Sequence, residues 1–264
     1  MRYNPTSEFA TYDFTAFMQK INAAEAQPTV DLFGQTLVKG TRQDTAREIV
    51  SRAARGQRTV VNFVNAHCVN TLYNDAGYRR ALDVSDRLLP DGSGMSLAAR
   101  MAGVKLGENL NGTDLFPHIC EFAEYSGQAI FLLGGDHGVA DGAAAWAARS
   151  YPRIDIAGTW HGYFDAEQEH ALIERINRSG ASILFVGFGV PLQEKWIARN
   201  TDEFHAIAVK WAGRREDLSK IRYEFRDRIS EVYFRFPRDV EKSYRLIWKR
   251  WCDGDETSPL HPLS

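Results

Sequence analysis

The sequence has few of the residues and motifs that mark metal centres or disulfide scaffolds. It contains three cysteines, Cys68, Cys120 and Cys252, which lie far apart and show neither a CxxC pair nor a Cys/His spacing typical of zinc. It also contains no Gly-x-Ser-x-Gly elbow, no Walker loop and no Gly-x-Gly-x-x-Gly fingerprint. These absences indicate a reducing compartment, predict no structural metal, and disfavour serine-hydrolase, P-loop and nicotinamide-dinucleotide chemistry.

Long hydrophobic runs are missing as well. No uninterrupted apolar stretch is long enough to span a bilayer, and the first residues, MRYNPTSEFATYDF, lack the apolar region of a signal peptide. We therefore expect a soluble or at most peripheral protein. With 264 residues and 44% hydrophobic content, the chain is long enough for one large domain, or for one domain with a small appendage.

Charge is unevenly distributed along the chain. Residues 1–209 contain 19 Lys and Arg against 24 Asp and Glu, whereas residues 210–250 contain 13 against 7. A basic, aromatic-rich block after a mildly acidic body favours an anionic surface as partner. An ordinary solvated helix face is the alternative explanation of the same charges. No nucleic-acid partner is expected, and the oligomeric state stays open, with a homo-oligomer among the alternatives.

Short apolar runs alternate with amphipathic stretches, which predicts an α/β fold with a largely parallel sheet covered by helices on both faces. Residues 1–209 form the predicted α/β domain. The predicted strands are a hairpin over Val30–Val38 and the segments Thr59–Asn65, Arg87–Leu89, Ala129–Leu133, Ile154–Ala157, Ser182–Val186 and Ala206–Val209. The predicted helices are Phe14–Ala24, Thr41–Arg55, Cys68–Leu82, Ser93–Ala102, Thr113–Tyr125, Val139–Ser150, Ala166–Asn177 and Leu192–Ala198.

Residues 210–264 form a predicted basic helical appendage, because the alternation of strands and helices stops after Val209. Within it, Arg238–Trp251 places aromatic and apolar residues at helical spacing with arginines and lysines between them. Trp and Tyr beside Arg and Lys are typical of a helix that lies at a membrane interface. The alternative is a helix that docks on the α/β domain with its basic side chains extended into solvent.

Asp91 is the candidate for chemistry. It follows the apolar run Leu88-Leu89-Pro90 and precedes Gly92-Ser93-Gly94, and in an open α/β sheet the carboxyl end of a strand faces the ligand crevice. A carboxylate there acts as a general base if it lies within hydrogen-bond reach of a hydroxyl. A plain Asp-Gly turn is the structural alternative.

Two further strand ends carry glycines, Gly134-Gly135 and Gly187-Phe188-Gly189. Glycines before a helix let the backbone approach a phosphate, so together these ends favour a mononucleotide or sugar-nucleotide, although each alone also fits a tight turn. Asn65 ends a neighbouring strand and either orients a substrate hydroxyl or caps a helix. His67, His137 and His161 lie near strand ends without a metal-type spacing, which favours surface or core roles.

These segments, taken in order, resemble the WecG/TagA/CpsF glycosyltransferases, family 26. The resemblance covers roughly residues 30–209. The matching segments are Asn65, Pro90-Asp91-Gly92-Ser93-Gly94, Asn111-Gly112-Thr113-Asp114-Leu115, Phe131-Leu132-Leu133-Gly134-Gly135, Tyr151-Pro152, Gly162-Tyr163-Phe164, and the run from Val186 through Gly187-Phe188-Gly189-Val190-Pro191-Leu192-Gln193-Glu194-Lys195 to Trp196.

The resemblance implies a Rossmann-like, inverting and metal-independent transferase. It would move a hexose from a UDP-sugar to a polyprenyl-diphosphate-linked sugar at the inner face of the plasma membrane, with no cofactor. Asp91 would be the catalytic base, and the basic appendage would contact the membrane. The other implied site residues are Asn65, Asn111, Asp114, Gln193 and Glu194 for the substrates, Gly134, Gly135, Gly187 and Gly189 for the nucleotide, and Arg222, Arg226 and Arg228 for the acceptor diphosphate or lipid.

Three departures from the family pattern stand out. Phe63 replaces a usual Thr, Asn109 replaces a usual Arg, and the family's segments beyond the last strand are not recognisable in residues 209–217. They suggest a branch that uses a glucose-type donor for exopolysaccharide assembly, like the xanthan or acetan type. Two other classes stay open at this stage, a nucleotide-binding module without catalysis and a dinucleotide-dependent oxidoreductase.

Overall fold

The residues that the structure describes form an eight-stranded sheet. The computed structural model describes Ala24, residues 26–201 and the backbone of residues 207–210. The strands are β1 (Thr29–Leu32), β2 (Gln35–Val38), β3 (Val60–Val64), β4 (Arg87–Pro90), β5 (Ile130–Gly134), β6 (Ile156–Trp160), β7 (Ile183–Gly187) and β8 (Ile207–Lys210). Their order across the sheet is β1-β2-β4-β3-β8-β7-β5-β6.

The strand pairing is parallel except in the hairpin of β1 and β2. All residues of β3 and β5 are buried, because a parallel strand that is covered on both faces has no side exposed to water. The predicted α/β fold with a largely parallel sheet is therefore confirmed. All carboxyl ends of the parallel strands lie at one edge of the sheet, which we call the carboxyl edge.

Helices connect the parallel strands. They are α1 (Arg42–Ala54), α2 (Ala66–Asn74), α3 (Ala76–Asp83), α4 (Ser93–Met101), α5 (Gly112–Ser126), α6 (Val139–Ser150), α7 (Ala166–Arg178) and α8 (Leu192–Asn200). The first of these is capped by Thr41, whose side chain accepts a hydrogen bond from the backbone N–H of Asp44. The Phe14–Ala24 helix lies outside the described residues, apart from Ala24 itself.

Alternate residues along the buried strands face two separate cores. Ile130 and Leu132 pack in one core with α1, α5 and α6, whereas Phe131 and Leu133 pack in another with α7 and α8. A third core joins α2, α3 and α4 to β2 and β4. Phe63 lies on the face of α1 and α5 and is fully buried, so the residue that departs from the family pattern is a core residue here.

Two predicted elements differ from the observed ones. The single helix predicted over Cys68–Leu82 is two helices, because Asp75 ends α2 and its side chain caps α3 by accepting from the backbone N–H of Tyr78. The strand predicted over Ile154–Ala157 lies instead at Ile156–Trp160. That strand is the edge of the sheet and only half-buried, so its sequence lacks the apolar run that located the central strands.

The last described strand reaches one residue beyond the predicted domain boundary at residue 209. Strand β8 lies between β3 and β7 and ends at Lys210, which pairs with Val186. Residues 211–264 lie outside the described residues, so the basic appendage over 210–264 stays a prediction. No helix in the described part of the chain combines the length and the hydropathy that crossing a bilayer would require.

Candidate active site at the carboxyl edge

Asn65 and Asp91 meet at the carboxyl edge, because they directly follow the neighbouring strands β3 and β4. The Asn65 Nδ2 lies 3.5 Å from the Asp91 Oδ2, and both residues are half-buried. The Asn65 Oδ1 accepts from the backbone N–H of Cys68 and so caps α2. This cap fixes the orientation of the Asn65 amide, so that its N–H group faces the carboxylate. We call this part of the site the carboxylate side.

The backbone on both sides of Asp91 is held by hydrogen bonds. The Asp91 N–H donates to the Val64 carbonyl across the sheet (2.9 Å), and the Pro90 carbonyl accepts from the Leu110 N–H (3.0 Å). The Gly92 N–H donates to the Asn109 Oδ1 at 2.7 Å. Asp91 is therefore placed at the edge of the sheet by its surroundings, as the sequence predicted for a residue after β4.

Asn111 and Asp114 are hydrogen-bonded to each other at the start of α5. The Asn111 Oδ1 accepts from the Asp114 N–H (2.8 Å), and the Asn111 Nδ2 donates to the Asp114 Oδ2 (2.8 Å). Arg42 of α1 pairs with the same carboxylate at 3.2 Å. The two side chains thus cap one helix and join it to another. Their predicted contact with substrate stays a prediction.

Three of the four predicted nucleotide glycines lie where backbones approach closely. The Gly135 N–H donates to the Gly187 carbonyl (3.0 Å), and the Gly162 N–H donates to the Gly135 carbonyl (2.8 Å). A Cβ on Gly134 would lie 2.3 Å from the Gly187 carbonyl oxygen. Only glycine fits at position 134, and the ends of β5 and β7 contact each other through backbone. We call this part of the site, formed by Gly134, Gly135, Gly162 and Gly187, the glycine side.

Gln193 and Glu194 are buried at the start of α8, with exposed fractions of 2% and 0%. The fourth predicted glycine, Gly189, has a φ of +84° and donates its N–H to the Gln193 Oε1 at 3.0 Å. The Gln193 Nε2 donates to the Glu194 Oε1 at 2.9 Å. Gln193 therefore holds the turn between β7 and α8, and Glu194 holds the Gln193 amide in place.

The sequence did not indicate the side chains that join the helices following the two sides. The Lys195 Nζ pairs with the Asp75 Oδ2 at 2.6 Å, which ties α8 to the α2–α3 junction. The hydrogen bond from Lys195 is the main reason why the pKa of Asp75 lies below its usual range. The only signal was the Asp at position 75, and the apolar spacing that predicted one continuous helix concealed it.

Tyr78 is a further residue that the sequence did not indicate. It is fully buried beneath the same contact between α3 and α8. Burial raises the pKa of the Tyr78 phenol well above its usual value, and the Cys68 thiol and the Glu194 carboxylate raise it further. The phenol therefore stays protonated at physiological pH, and its neighbours link the predicted site residue Glu194 to α2.

Two of the three histidines predicted near strand ends, His137 and His161, are in tilted ring contact beside the glycine side. The rings of His137 and His161 lie 3.9 Å apart between centroids, and Trp160 stacks on His161 at 5.2 Å. Arg175 lies over the Trp160 ring. Among the described residues, no group of three His, Cys, Asp or Glu side chains is arranged to hold a metal ion. Arg222, Arg226 and Arg228 lie outside those residues.

Comparison with known proteins agrees with the resemblance. The family model described as "Glycosyl transferase WecG/TagA/CpsF family" matches residues 30–214. Curated relatives include N-acetylglucosaminyldiphosphoundecaprenol N-acetyl-beta-D-mannosaminyltransferases of Staphylococcus aureus strains NCTC 8325, COL and MRSA252. Each is 28% identical to this chain over 149 residues, which cover 56% of this chain and 58% of the relative. The chain thus spans less than two thirds of the length of these relatives.

Proposed function

Because the chain belongs to the WecG/TagA/CpsF glycosyl transferase family, we propose that it transfers a hexose from a UDP-sugar to a polyprenyl-diphosphate-linked sugar. The observation that carries the proposal is the position of Asp91. Its carboxylate lies at the carboxyl edge, beside the Asn65 amide and on the same edge as the turns of the glycine side. Ligands of open α/β sheets bind at this edge.

In the proposed reaction, Asp91 takes the proton of an acceptor hydroxyl. The freed oxygen attacks the anomeric carbon of the donor sugar, a C–O bond forms to the acceptor, and the bond to the UDP oxygen breaks. A single displacement of this kind inverts the anomeric configuration. The Asn65 N–H facing the Asp91 oxygen helps to orient the carboxylate, and a base within hydrogen-bond reach of its proton contributes typically about 10²- to 10⁴-fold to the rate.

The glycine side is the proposed place of the UDP diphosphate. Helix α6 follows β5 and begins after Gly138 without a side-chain cap, so the positive end of its dipole lies at the carboxyl edge. The N–H of its first residue, Val139, is bonded to the Asp136 carbonyl at 3.0 Å. Gly134 and Gly135 bring β5 and β7 together without side chains that would fill this space. Backbone amides there would stabilise the charge that develops on the departing UDP.

The acceptor lipid and the membrane belong to the same proposal. The relatives' names specify an acceptor sugar on diphosphoundecaprenol, and 13 Lys and Arg lie between residues 210 and 250. We propose that Arg222, Arg226 and Arg228 bind the acceptor diphosphate or anionic lipid, since each basic residue near such a surface adds about 1 kcal/mol to binding. The protein would then act as a peripheral enzyme on the inner face of the plasma membrane.

Metal independence is a further part of the proposal. The spacing of Asp83 and Asp86 does not form an Asp-x-Asp pair, but Asp253-Gly254-Asp255 does, and it lies outside the described residues. Transfer without metal requires that backbone amides and basic side chains carry the leaving-group charge. Activity that persists in a chelator would agree with this, whereas loss of activity in the chelator and its return with Mg²⁺ or Mn²⁺ would contradict it.

A UDP-release assay tests the function directly. The full chain is incubated with a polyprenyl-diphosphate-linked N-acetylglucosamine and, in turn, with UDP-glucose, UDP-N-acetylglucosamine or UDP-N-acetylmannosamine. We expect UDP release that depends on acceptor with one of these donors, and a product one hexose larger by mass. Turnover with UDP-glucose would support the branch suggested by Phe63 and Asn109. Binding of UDP without release from any donor would favour a nucleotide-binding module instead.

A further inference from the structure

We infer that Asn109 is a positioning residue that holds the turn carrying Asp91 in the geometry for proton abstraction, an inference that rests on the proposed function. Asn109 itself is exposed and lies on the segment before α5. Its side chain reaches the turn after β4, where the Asn109 Oδ1 accepts from the Gly92 N–H at 2.7 Å. This bond is short and connects two stretches of chain that are 17 residues apart.

Asn109 is one of two consecutive residues that enclose Asp91. The backbone N–H of Leu110 binds the carbonyl before Asp91, that of Pro90, and the side chain of Asn109 binds the N–H after it, that of Gly92. The peptide groups on either side of the proposed base are thus fixed by one segment. Of these two bonds, only the one from Asn109 depends on a side chain, so a substitution can remove it without altering the backbone.

The segment that makes these bonds is itself anchored. We call Gly107–Leu110 the brace. A Cβ on Gly107 would lie 2.2 Å from the Gly40 carbonyl oxygen, and the Glu108 N–H donates to that same oxygen at 2.9 Å. Leu110 is fully buried. Because the brace is fixed by Gly40 and by the core, the bond that Asn109 accepts from the Gly92 N–H restricts the position of Gly92.

A second set of bonds fixes the brace from α1. The backbone N–H of Arg42 and its Nε both donate to the Glu108 Oε2, at 2.9 and 3.1 Å. These bonds from Arg42 hold the pKa of Glu108 below its usual range. The Glu108 carboxylate therefore stays charged and bound to α1 at the pH at which the enzyme would work.

Gly92 needs such a constraint because sterics do not provide one. Its φ is +89° and a Cβ there would meet nothing within 4 Å, so side-chain packing does not restrict the turn. Its carbonyl accepts from the Met95 N–H at 3.2 Å, which leaves the Gly92 N–H to be fixed by Asn109. It stands at the N-cap of α4 without a side-chain cap. Glycine in open space is the most mobile of residues, while misplacement of a reacting group by about 1 Å can cost roughly 10²-fold in rate. The Asn109 bond removes this freedom next to Asp91.

Three variants separate positioning from a general structural role. Asn109→Ala removes the acceptor atom. Asn109→Asp keeps an acceptor oxygen at the same place. Asn74→Ala is the matched control, because Asn74 is an exposed asparagine at the end of α2 whose side chain bonds the Asn70 carbonyl at 2.9 Å. Each full-length variant is assayed for kcat, for the KM of the donor, for UDP affinity and for its thermal midpoint.

We expect Asn109→Ala to lower kcat about 10- to 100-fold, because the Asp91 turn becomes mobile, with the donor KM and UDP affinity within about twofold of the wild type. Asn74→Ala should keep the wild-type kcat. Asn109→Asp should recover most of kcat on the plateau of its pH profile, with the acidic limb moved to higher pH, because its added negative charge lies near the base. Should Asn109→Ala fail to fold, Asn109→Gln displaces the acceptor by one methylene and should lower kcat in the same way.

Exchange of the Gly92 amide provides a readout that does not need activity. In protein labelled with ¹⁵N-glycine, this amide should exchange at least about tenfold faster in Asn109→Ala than in the wild type and in Asn109→Asp. Faster exchange with an unchanged kcat would overturn the positioning role, and so would a loss that appears in KM alone or is not recovered by Asn109→Asp. A wild-type protein that releases UDP from no donor would instead overturn the proposed function.

Discussion

The two sides of the carboxyl edge are built differently. The carboxylate side presents two side chains, Asn65 and Asp91, which hydrogen bonds hold in place. The glycine side presents backbone, because β5 and β7 approach so closely that a Cβ on Gly134 would meet the Gly187 carbonyl at 2.3 Å. Under the proposed function, the carboxylate side would supply the proton acceptor, and the glycine side would leave room for the diphosphate against backbone.

Under the proposed function, residues of the carboxylate side act in the reaction without forming the sheet, whereas residues of the glycine side do both. Asp91 is half-buried, and a change of its side chain leaves its backbone bond to the Val64 carbonyl in place. Gly134 and Gly187 are part of the ladder between β5 and β7, so a change there alters the sheet. Substitutions on the carboxylate side should therefore reduce activity more than stability, and substitutions on the glycine side should do the reverse.

Asp91→Asn should lower activity more than any of the other substitutions, and it should do so without lowering stability. The amide has the shape of the carboxylate but cannot take a proton, so we expect kcat to fall about 10²- to 10⁴-fold while UDP affinity and the thermal midpoint stay near the wild-type values. Asp83→Asn, an exposed aspartate at the end of α3, is the control and should stay fully active. Turnover retained by Asp91→Asn would remove Asp91 from the mechanism.

Gly134→Ala should have its main effect on stability. The new methyl group would overlap the Gly187 carbonyl, and the φ of +137° is unfavourable for alanine, so we expect a loss of roughly 2–4 kcal/mol in the free energy of unfolding. Denaturant unfolding followed by circular dichroism measures this loss.

Gly92→Ala on the carboxylate side is the matched counterpart. Its φ is also positive, with ψ at 160°, but a Cβ there meets no atom within 4 Å, so backbone strain of roughly 1–3 kcal/mol is the whole expected cost. If both substitutions destabilise the protein equally, the close approach at the glycine side is not what separates the two sides.

The sequence predicted the fold and the place of the site more fully than the contacts within it. Apolar runs located β3, β4, β5 and β7, and turn residues after them indicated one edge of the sheet. Asp91 stands out in sequence because it follows an apolar run and precedes glycines. Asn65 was identified for the same reason, with its cap on α2 as a stated alternative.

Contacts between distant segments could not be predicted in this way. Two examples are the hydrogen bond that the Gly92 N–H donates to Asn109 and the ion pair of Lys195 with Asp75. Both depend on how a loop and a helix end pack, and no periodicity of the sequence encodes such a distance. Gln193 illustrates the same limit from the other direction. It lies beside the family motif glycines, but only the structure shows that its amide is buried against Gly189 and Glu194.

The Lys195–Asp75 pair links α8 to the α2–α3 junction, and its removal is expected to have the smallest effect of these substitutions. Lys195→Met keeps the length of the side chain and removes its charge, so we expect the thermal midpoint to fall by no more than about 3 °C at pH 7. Lys39→Met, at an exposed position directly after β2, controls for the loss of a surface charge.

Because Lys195 lowers the pKa of Asp75 in the folded state, the pair stabilises the protein at pH values above the ordinary pKa of 3.8. This stability is lost as the pH falls through the lowered pKa. The difference in thermal midpoint between the wild type and Lys195→Met should therefore be constant from pH 7 to about pH 5 and shrink toward zero below pH 3.8. If the difference in thermal midpoint persists unchanged at pH 2, Lys195 holds α8 against the α2–α3 junction through packing of its aliphatic chain and not through its charge.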